Sequence, residues 1–171
     1  MLIKAELTLA TYHHGDLRAA MLTAAARLVE DEGVSGLSVR EAARRAGVSH
    51  NAPYRHFPDR ESLLAALAAD GLAQLQKALE GRSGRELGEA YVRFALANPR
   101  RFQMMFAMGR GAAMYERFAR AFAGSDAKVA GAAAWALVHG LAQLAIAGHV
   151  EASDEFVRKV LGAMRFAQRS A

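Results

Sequence analysis

The chain contains no cysteine. That absence excludes disulfides, thiolate metal sites, cysteine nucleophiles and thiol-based redox sensing, and it is compatible with a reducing cytoplasm. Strand patterning is missing as well, because no segment alternates apolar and polar residues with the period of two that a half-buried strand requires. Proline is scarce, at 3 of 171 residues, and serves as punctuation. The first ten residues carry Lys4 and Glu6 among their apolar neighbours and have no long apolar core, so a secretory signal is not expected there. Acidic charge is in modest deficit: Lys plus Arg number 22 against 17 for Asp plus Glu. Such a surface suits phosphate-bearing partners without establishing one.

Charge is missing altogether from Val129 to Val150. Such a stretch is long enough to cross a bilayer of about 30 Å. Its composition argues otherwise, being half Ala and Gly with His139 and Gln143 near the middle, where polar groups are costly in lipid. A helix buried on all sides is the expectation, with no membrane partner.

Apolar residues recur at helical spacing, as in Leu17, Met21, Ala24, Ala25, Leu28 and Val29. An all-α fold follows. A first helix is predicted from about Asp16 to Glu32, stopped by Gly33. A second opens at Ser38-Val39-Arg40-Glu41, a pattern for a reciprocal capping box, and ends at Gly47, suited to a left-handed turn. Ser49 is the expected cap of a third helix reaching Phe57, with Pro53 in or just beyond its first turn. Asp59, followed by Glu61, caps a fourth helix to about Leu79, and Gly81 to Gly84 reads as a loop. Further helices are predicted over 86–97, 100–108 and 113–123, then from Gly124-Ser125-Asp126 to Val150, and last from Ser153-Asp154-Glu155 to about Gln168. The division expected is residues 1–58 and residues 59–171.

Two short capped helices joined by a turn of about three to four residues have the proportions of a DNA-binding helix-turn-helix. In that motif the start of the second helix faces base edges, here His50, Asn51 and Ala52. Asn can bond adenine at two points, His can address a guanine acceptor, and the Ala methyl can touch thymine, while Tyr54 and Arg55 suit phosphate oxygens. Ser38, Arg40, Ser49, His56 and Arg60 complete the candidate contacts. Residues 1–60 as a whole are nearly charge-balanced, but Arg40, Arg44, Arg45, Arg55 and Arg60 face only Glu41 and Asp59 between Ser38 and Arg60. Ala42, Ala43, Ala46, Val48 and Phe57 read as scaffold.

The run from Leu37 to Leu64, with Ser38-Val39-Arg40-Glu41, Ala46-Gly47-Val48-Ser49 and Tyr54-Arg55-His56-Phe57-Pro58-Asp59-Arg60, resembles the tetracycline-repressor (TetR) family. Tyr12-His13-His14-Gly15-Asp16-Leu17-Arg18 upstream, and Trp135, His139 and Gly140 downstream, are similar to the subgroup whose effector domain carries a Trp-His-Gly signature. The resemblance implies a nine-helix fold, a homodimer, a palindromic operator in double-stranded DNA, and repression relieved by a small molecule. It also implies that the fourth helix links head to body and that the last two helices form the subunit interface, with Ala133, Ala136, Gly140, Leu144, Phe156, Val160 and Met164 as candidates. Operator half-sites lie about 34–36 Å apart or at a multiple of that, so a small shift of the fourth helix breaks register. Arg60 stands where the family usually has Lys, and phosphate contact is the expectation for it.

A largely apolar effector is suggested by the aromatic and methionine-rich body. Tyr91, Phe94, Phe102, Met105, Phe106 and Met108 are candidate lining, together with Trp135 and His139, four apart on one helix face. The commoner role for most of these is core packing, and for His139 a packed core histidine. Adjacent His13 and His14 lack the one-face spacing of a metal site, so neither metal nor cofactor is expected. Gly109-Arg110-Gly111 reads as a turn, too short for a dinucleotide loop. An enzyme would need a nucleophile with its base, paired carboxylates or a metal set, and none is assembled. The alternative from another class is a helical interaction protein that kept this fold without specific DNA binding.

Overall fold

The computed structural model describes residues 14–49, 51–109, 111–121 and 126–163. His50, Arg110, Gly124, Ser125 and Met164 fall outside them, as does everything before His14. Among the described residues there are eight α-helices and no strand.

Helix α1 (His14–Glu32) buries Leu17, Met21, Ala25, Leu28 and Val29 along one face and ends where Gly33 adopts φ 80°. A short 3-10 turn (Val34–Gly36) leads to α2 (Val39–Ala46). Ser38 caps α2, its Oγ accepting from the Glu41 amide at 3.1 Å. Only half of the expected box forms, because the Glu41 carboxylate turns instead to Arg44 and Arg45. Two guanidinium partners outcompete one backbone N–H for a solvent-facing carboxylate. Gly47 supplies the left-handed stop at φ 67°.

The expected third α-helix is not one. Ala52–Arg55 form a 3-10 turn, with Asn51 rather than Ser49 at its cap position and no side-chain capping bond. Pro53 sits at its start without an amide donor, and the His56 and Phe57 amides both return to the Pro53 carbonyl, at 3.0 and 2.9 Å. Pro58 follows directly. With proline at both ends, too few donors remain for a second α-turn. This replacement accounts for eight α-helices where nine were expected.

Helix α3 (Arg60–Leu79) is capped by Asp59, as expected, in a full box closed by Ser62. Four body helices follow: α4 (Gly84–Ala97), α5 (Pro99–Ala107), α6 (Ala112–Ala119) and α7 (Ala127–Ile146). Helix α8 (Asp154–Ala163) completes the described chain, with Ser153 Oγ accepting from the Phe156 amide at 3.2 Å. Pro99 breaks α4 from α5, and the Asn98 side chain satisfies the Phe94 carbonyl that the break frees.

Helices α1, α2 and α3 pack together, α3 continues against α4 and α5, and α7 lies on α4 and α6. The buried core runs without interruption from Leu17 to Leu161. Gly131 on α7 admits the backbone of α6: a Cβ there would lie 2.6 Å from the Ala119 nitrogen and closer still to its Cα. Helix α7 is long and apolar enough to cross a membrane by length and composition, yet Gly131, Ala134, Val138, Leu141 and Ala142 are buried in this fold. It is not buried on all sides. Val129 is 71% exposed and Leu144 45% exposed.

Candidate nucleic-acid interface

The head is held by a clamp of opposite charges. Arg45 on α2 reaches back to α1, donating to Asp31 at 2.8 Å and also to Glu32, while its Nε lies 3.3 Å from Glu41. Arg44 grips the same Glu41 through two bonds, of 2.8 and 2.6 Å. Arg44 above all, with Arg45 adding to it, holds the Glu41 carboxyl down at about 2 although it faces solvent. Two of the five arginines that made this segment locally basic are therefore spent on the fold.

Arg60 is a third. Its Nε donates to the Leu37 carbonyl at 2.9 Å and its Nη2 to the Val34 carbonyl at 2.7 Å. The first residue of α3 is thereby tied to the connector in front of α2. Nothing in the local sequence signals this contact, because its partners are backbone atoms more than twenty residues away.

Arg40 and Arg55 differ: among the described residues neither has an ion-pair partner, and both are exposed. Asn51 and Ser49 are exposed with them, Tyr54 is 42% exposed, and Ala52 and His56 are partly covered. Ser38 is engaged as the α2 cap. Beneath this surface Phe57 is buried and Pro53 packs inward, with Arg18 of α1 lying over the Phe57 ring at 5.8 Å. Between them these exposed side chains supply an amide, a phenol and two guanidinium groups, a chemistry matched to base edges and phosphates.

In the body, five of the eight candidate pocket residues meet. Tyr91 is fully buried at the centre, edge-on to Phe102, with Phe106 and His139 nearby. Trp135 Nε1 donates to the Tyr91 hydroxyl at 3.1 Å, and that hydroxyl lies 2.9 Å from His139 Nδ1. That hydroxyl accepts from Trp135 and shares one hydrogen with His139 Nδ1, while Gln143 Nε2 lies 3.5 Å from His139 Nε2, so both ring nitrogens face a polar partner. Burial lowers the His139 pKa and raises that of Tyr91, so both groups are neutral at pH 7. The other three lie apart. Phe94 stacks on Arg101, Met105 fills the space left by Gly71, and Met108 is 37% exposed at the end of α5.

On α7, Val129, Ala133, Ala136, Gly140 and Leu144 fall at helical spacing on a side that the chain leaves largely uncovered. Phe156 and Val160 on α8 are partly buried against the core. Sequence reasoning missed the contacts linking head to body. Glu30 of α1 accepts from the backbone amides of Arg100 and Arg101 at the start of α5, at 3.2 and 2.9 Å. Arg101 is itself buried.

Residues 21–67 match the bacterial regulatory proteins of the tetR family, and residues 85–164 match the tetracyclin repressor-like C-terminal domain. An uncharacterized HTH-type transcriptional regulator of Mycobacterium tuberculosis is 40% identical over 60 residues, which cover 35% of this chain and 32% of the relative. The match thus spans about a third of that curated relative's length. A solved structure from Rhodococcus sp. RHA1, of a protein with unknown function, is 35% identical with a TM-score of 0.74, covering 90% of this chain and 94% of the other. NalD, the secondary repressor of the MexAB-OprM multidrug efflux pump in Pseudomonas aeruginosa, shares the fold at 23% identity and TM-score 0.62, over 87% and 93% of the two chains. With both its head and its body matched, the chain belongs to the tetR family of bacterial regulatory proteins.

Proposed function

We propose that the protein is a homodimeric, ligand-responsive repressor that reads a palindromic operator in the bacterial cytoplasm and is not an enzyme. The observation that carries this reading is the division of the head's cations. Arg44, Arg45 and Arg60 brace the fold, whereas Arg40 and Arg55 stand exposed, as do Asn51 and Tyr54. Phosphate contacts fall to Arg40, Arg55 and Tyr54, and base reading to Asn51, Ala52 and His50, in a division common to groove-binding heads. Ser49 and His56 flank this face, and Ser38 orients α2.

The uncovered apolar stripe of α7 supports a second copy as its cover. Residues 1–58 act as the reading head and 59–171 as the sensing and dimerising body in this proposal. A largely apolar effector seated beside Tyr91, Phe102, Phe106, Trp135 and His139 would touch α4, α5 and α7. Displacement of α3 then reaches the head through Arg60, whose carbonyl partners immediately precede α2.

Selection of bound genomic fragments, followed by binding at increasing salt, tests the proposal. Specific fragments should bind with a steep salt dependence, and Asn51→Ala should relax preference at one operator position. Binding without sequence preference would leave the helical interaction protein as the reading.

A further inference from the structure

A groove of about 440 Å³ lies between head and body, walled by Arg18, Ala19, Leu22, Thr23, Ala26 and Arg27 of α1 and by Asp70, Gln74 and Arg101 of α3 and α5. It is separate from the aromatic cluster around Tyr91. Arg101 is only 5% exposed, and its Nε–H is buried with no acceptor. Its Nη2 donates to the neutral amide oxygens of Gln74 and Asn98, at 2.9 and 2.8 Å. The nearest carboxylate, Asp70, stands 4.0 Å from Nη1, too far for a hydrogen bond, and shares its charge with a bond from Gln74. A buried guanidinium normally has an anion within hydrogen-bond distance.

We infer that this groove is a binding site for a small organic monocarboxylate. Three guanidinium-bearing side chains line it against one carboxylate, so its walls carry a net charge of about +2 from formal side-chain charges. Leu22, Ala19 and Ala26 supply an apolar wall beside those charges. The occupant therefore combines a hydrocarbon body with an anionic group, and one carboxylate is the smallest group that supplies it. Its volume suits a small ligand. Because the walls come from α1 on one side and from α3 and α5 on the other, the occupant bridges the reading head to the body and reinforces the joint that Glu30 makes with α5.

Benzoate is the probe, benzamide its uncharged counterpart, and the full-length dimer the sample. Thermal unfolding at constant ionic strength should show a saturable rise in Tm with benzoate and none with benzamide. Arg27→Gln, on the exposed wall, should weaken the benzoate response about tenfold. Ala19→Phe, which fills the groove without altering charge, should abolish it. Arg101→Met should abolish it as well, and if that variant fails to fold, the other two decide. The chain has one tryptophan. Emission from Trp135 should stay unchanged as the groove fills. No saturable response, an equal response to benzamide, wild-type affinity in both Arg27→Gln and Ala19→Phe, or Trp135 emission tracking the binding would each overturn the inference. Operator binding without benzoate is a separate measurement, so the fate of this site and that of the repressor reading are told apart.

Discussion

The head and the body use polar groups in opposite ways. In the head they are charged, solvent-facing and numerous: Glu41, Asp31 and Glu32 grip Arg44 and Arg45 across α1 and α2. Around the body's aromatic cluster they are neutral and few, with Trp135, Tyr91 and His139 forming one chain of hydrogen bonds among phenylalanines. A surface that meets phosphates in water can hold charges at little desolvation cost, but each such pair is screened and contributes little. A buried aromatic cluster cannot carry unpaired charge, so its polar atoms are neutral and mutually satisfied. Damage should accordingly be severe and structural in the body, and mild and functional in the head.

The largest expected effect is at the α6–α7 contact. Gly131→Ala should destabilise the protein by about 3 kcal/mol, because the new methyl meets backbone and not a movable side chain. Urea unfolding measures it, and a loss under 1 kcal/mol would show that α6 moves easily. Next is Tyr91→Phe, which leaves the Trp135 N–H and His139 Nδ1 without their shared partner, at about 2 kcal/mol. Trp135 emission should shift with it. If neither stability nor emission changed, the hydrogen-bond chain would not be what organises the body.

Arg60→Ala sharpens the boundary between the two regions. Losing two bonds to backbone carbonyls should cost about 1.5 kcal/mol and leave the salt dependence of operator binding unchanged. A fall in the salt slope of about one unit would assign Arg60 to a DNA phosphate.

Two pH profiles separate the regions more finely. Burial holds the His139 pKa below the usual histidine value, so the unfolded chain takes up this proton first as pH falls. The stability tied to the neutral ring is present above about pH 6.5 and is lost as pH drops below it. His139→Asn should flatten the unfolding free energy between pH 7 and 5. The Glu41 carboxyl is likewise depressed, from 4.5 to about 2, so its contribution is present above 4.5 and disappears as pH falls toward 2. Glu41→Gln should remove that acid-side loss, observed by hydrogen exchange in α2. The effect is the smallest of the five, since the pair is exposed.

Much of the fold was legible from local features. Gly33 and Gly47 stop helices by left-handed geometry, Ser38 and Asp59 cap the next ones, and Asn98-Pro99 breaks α4 from α5. Each depends on atoms within a few residues. The third helix misled because Ser49 is a good cap by residue type, while the two prolines that shorten the segment act together. The candidate pocket was half legible: aromatic character marked Tyr91, Phe102, Phe106, Trp135 and His139 as a group, but composition could not separate them from Phe94, Met105 and Met108. Helix α7 was read as buried throughout because hydropathy counts apolar residues without knowing how many neighbours one chain can supply.

By itself, the sequence determined the all-α class and most of the helix punctuation, since these follow from spacing and caps. Tertiary structure decided how the arginines are employed. Whether a guanidinium faces solvent, grips a carboxylate fourteen residues away as Arg45 does, holds backbone carbonyls as Arg60 does, or lies buried beside a groove as Arg101 does depends on which distant atoms the packed helices bring within about 3 Å. Hydrogen bonding at that range is too short for sequence separation to foretell.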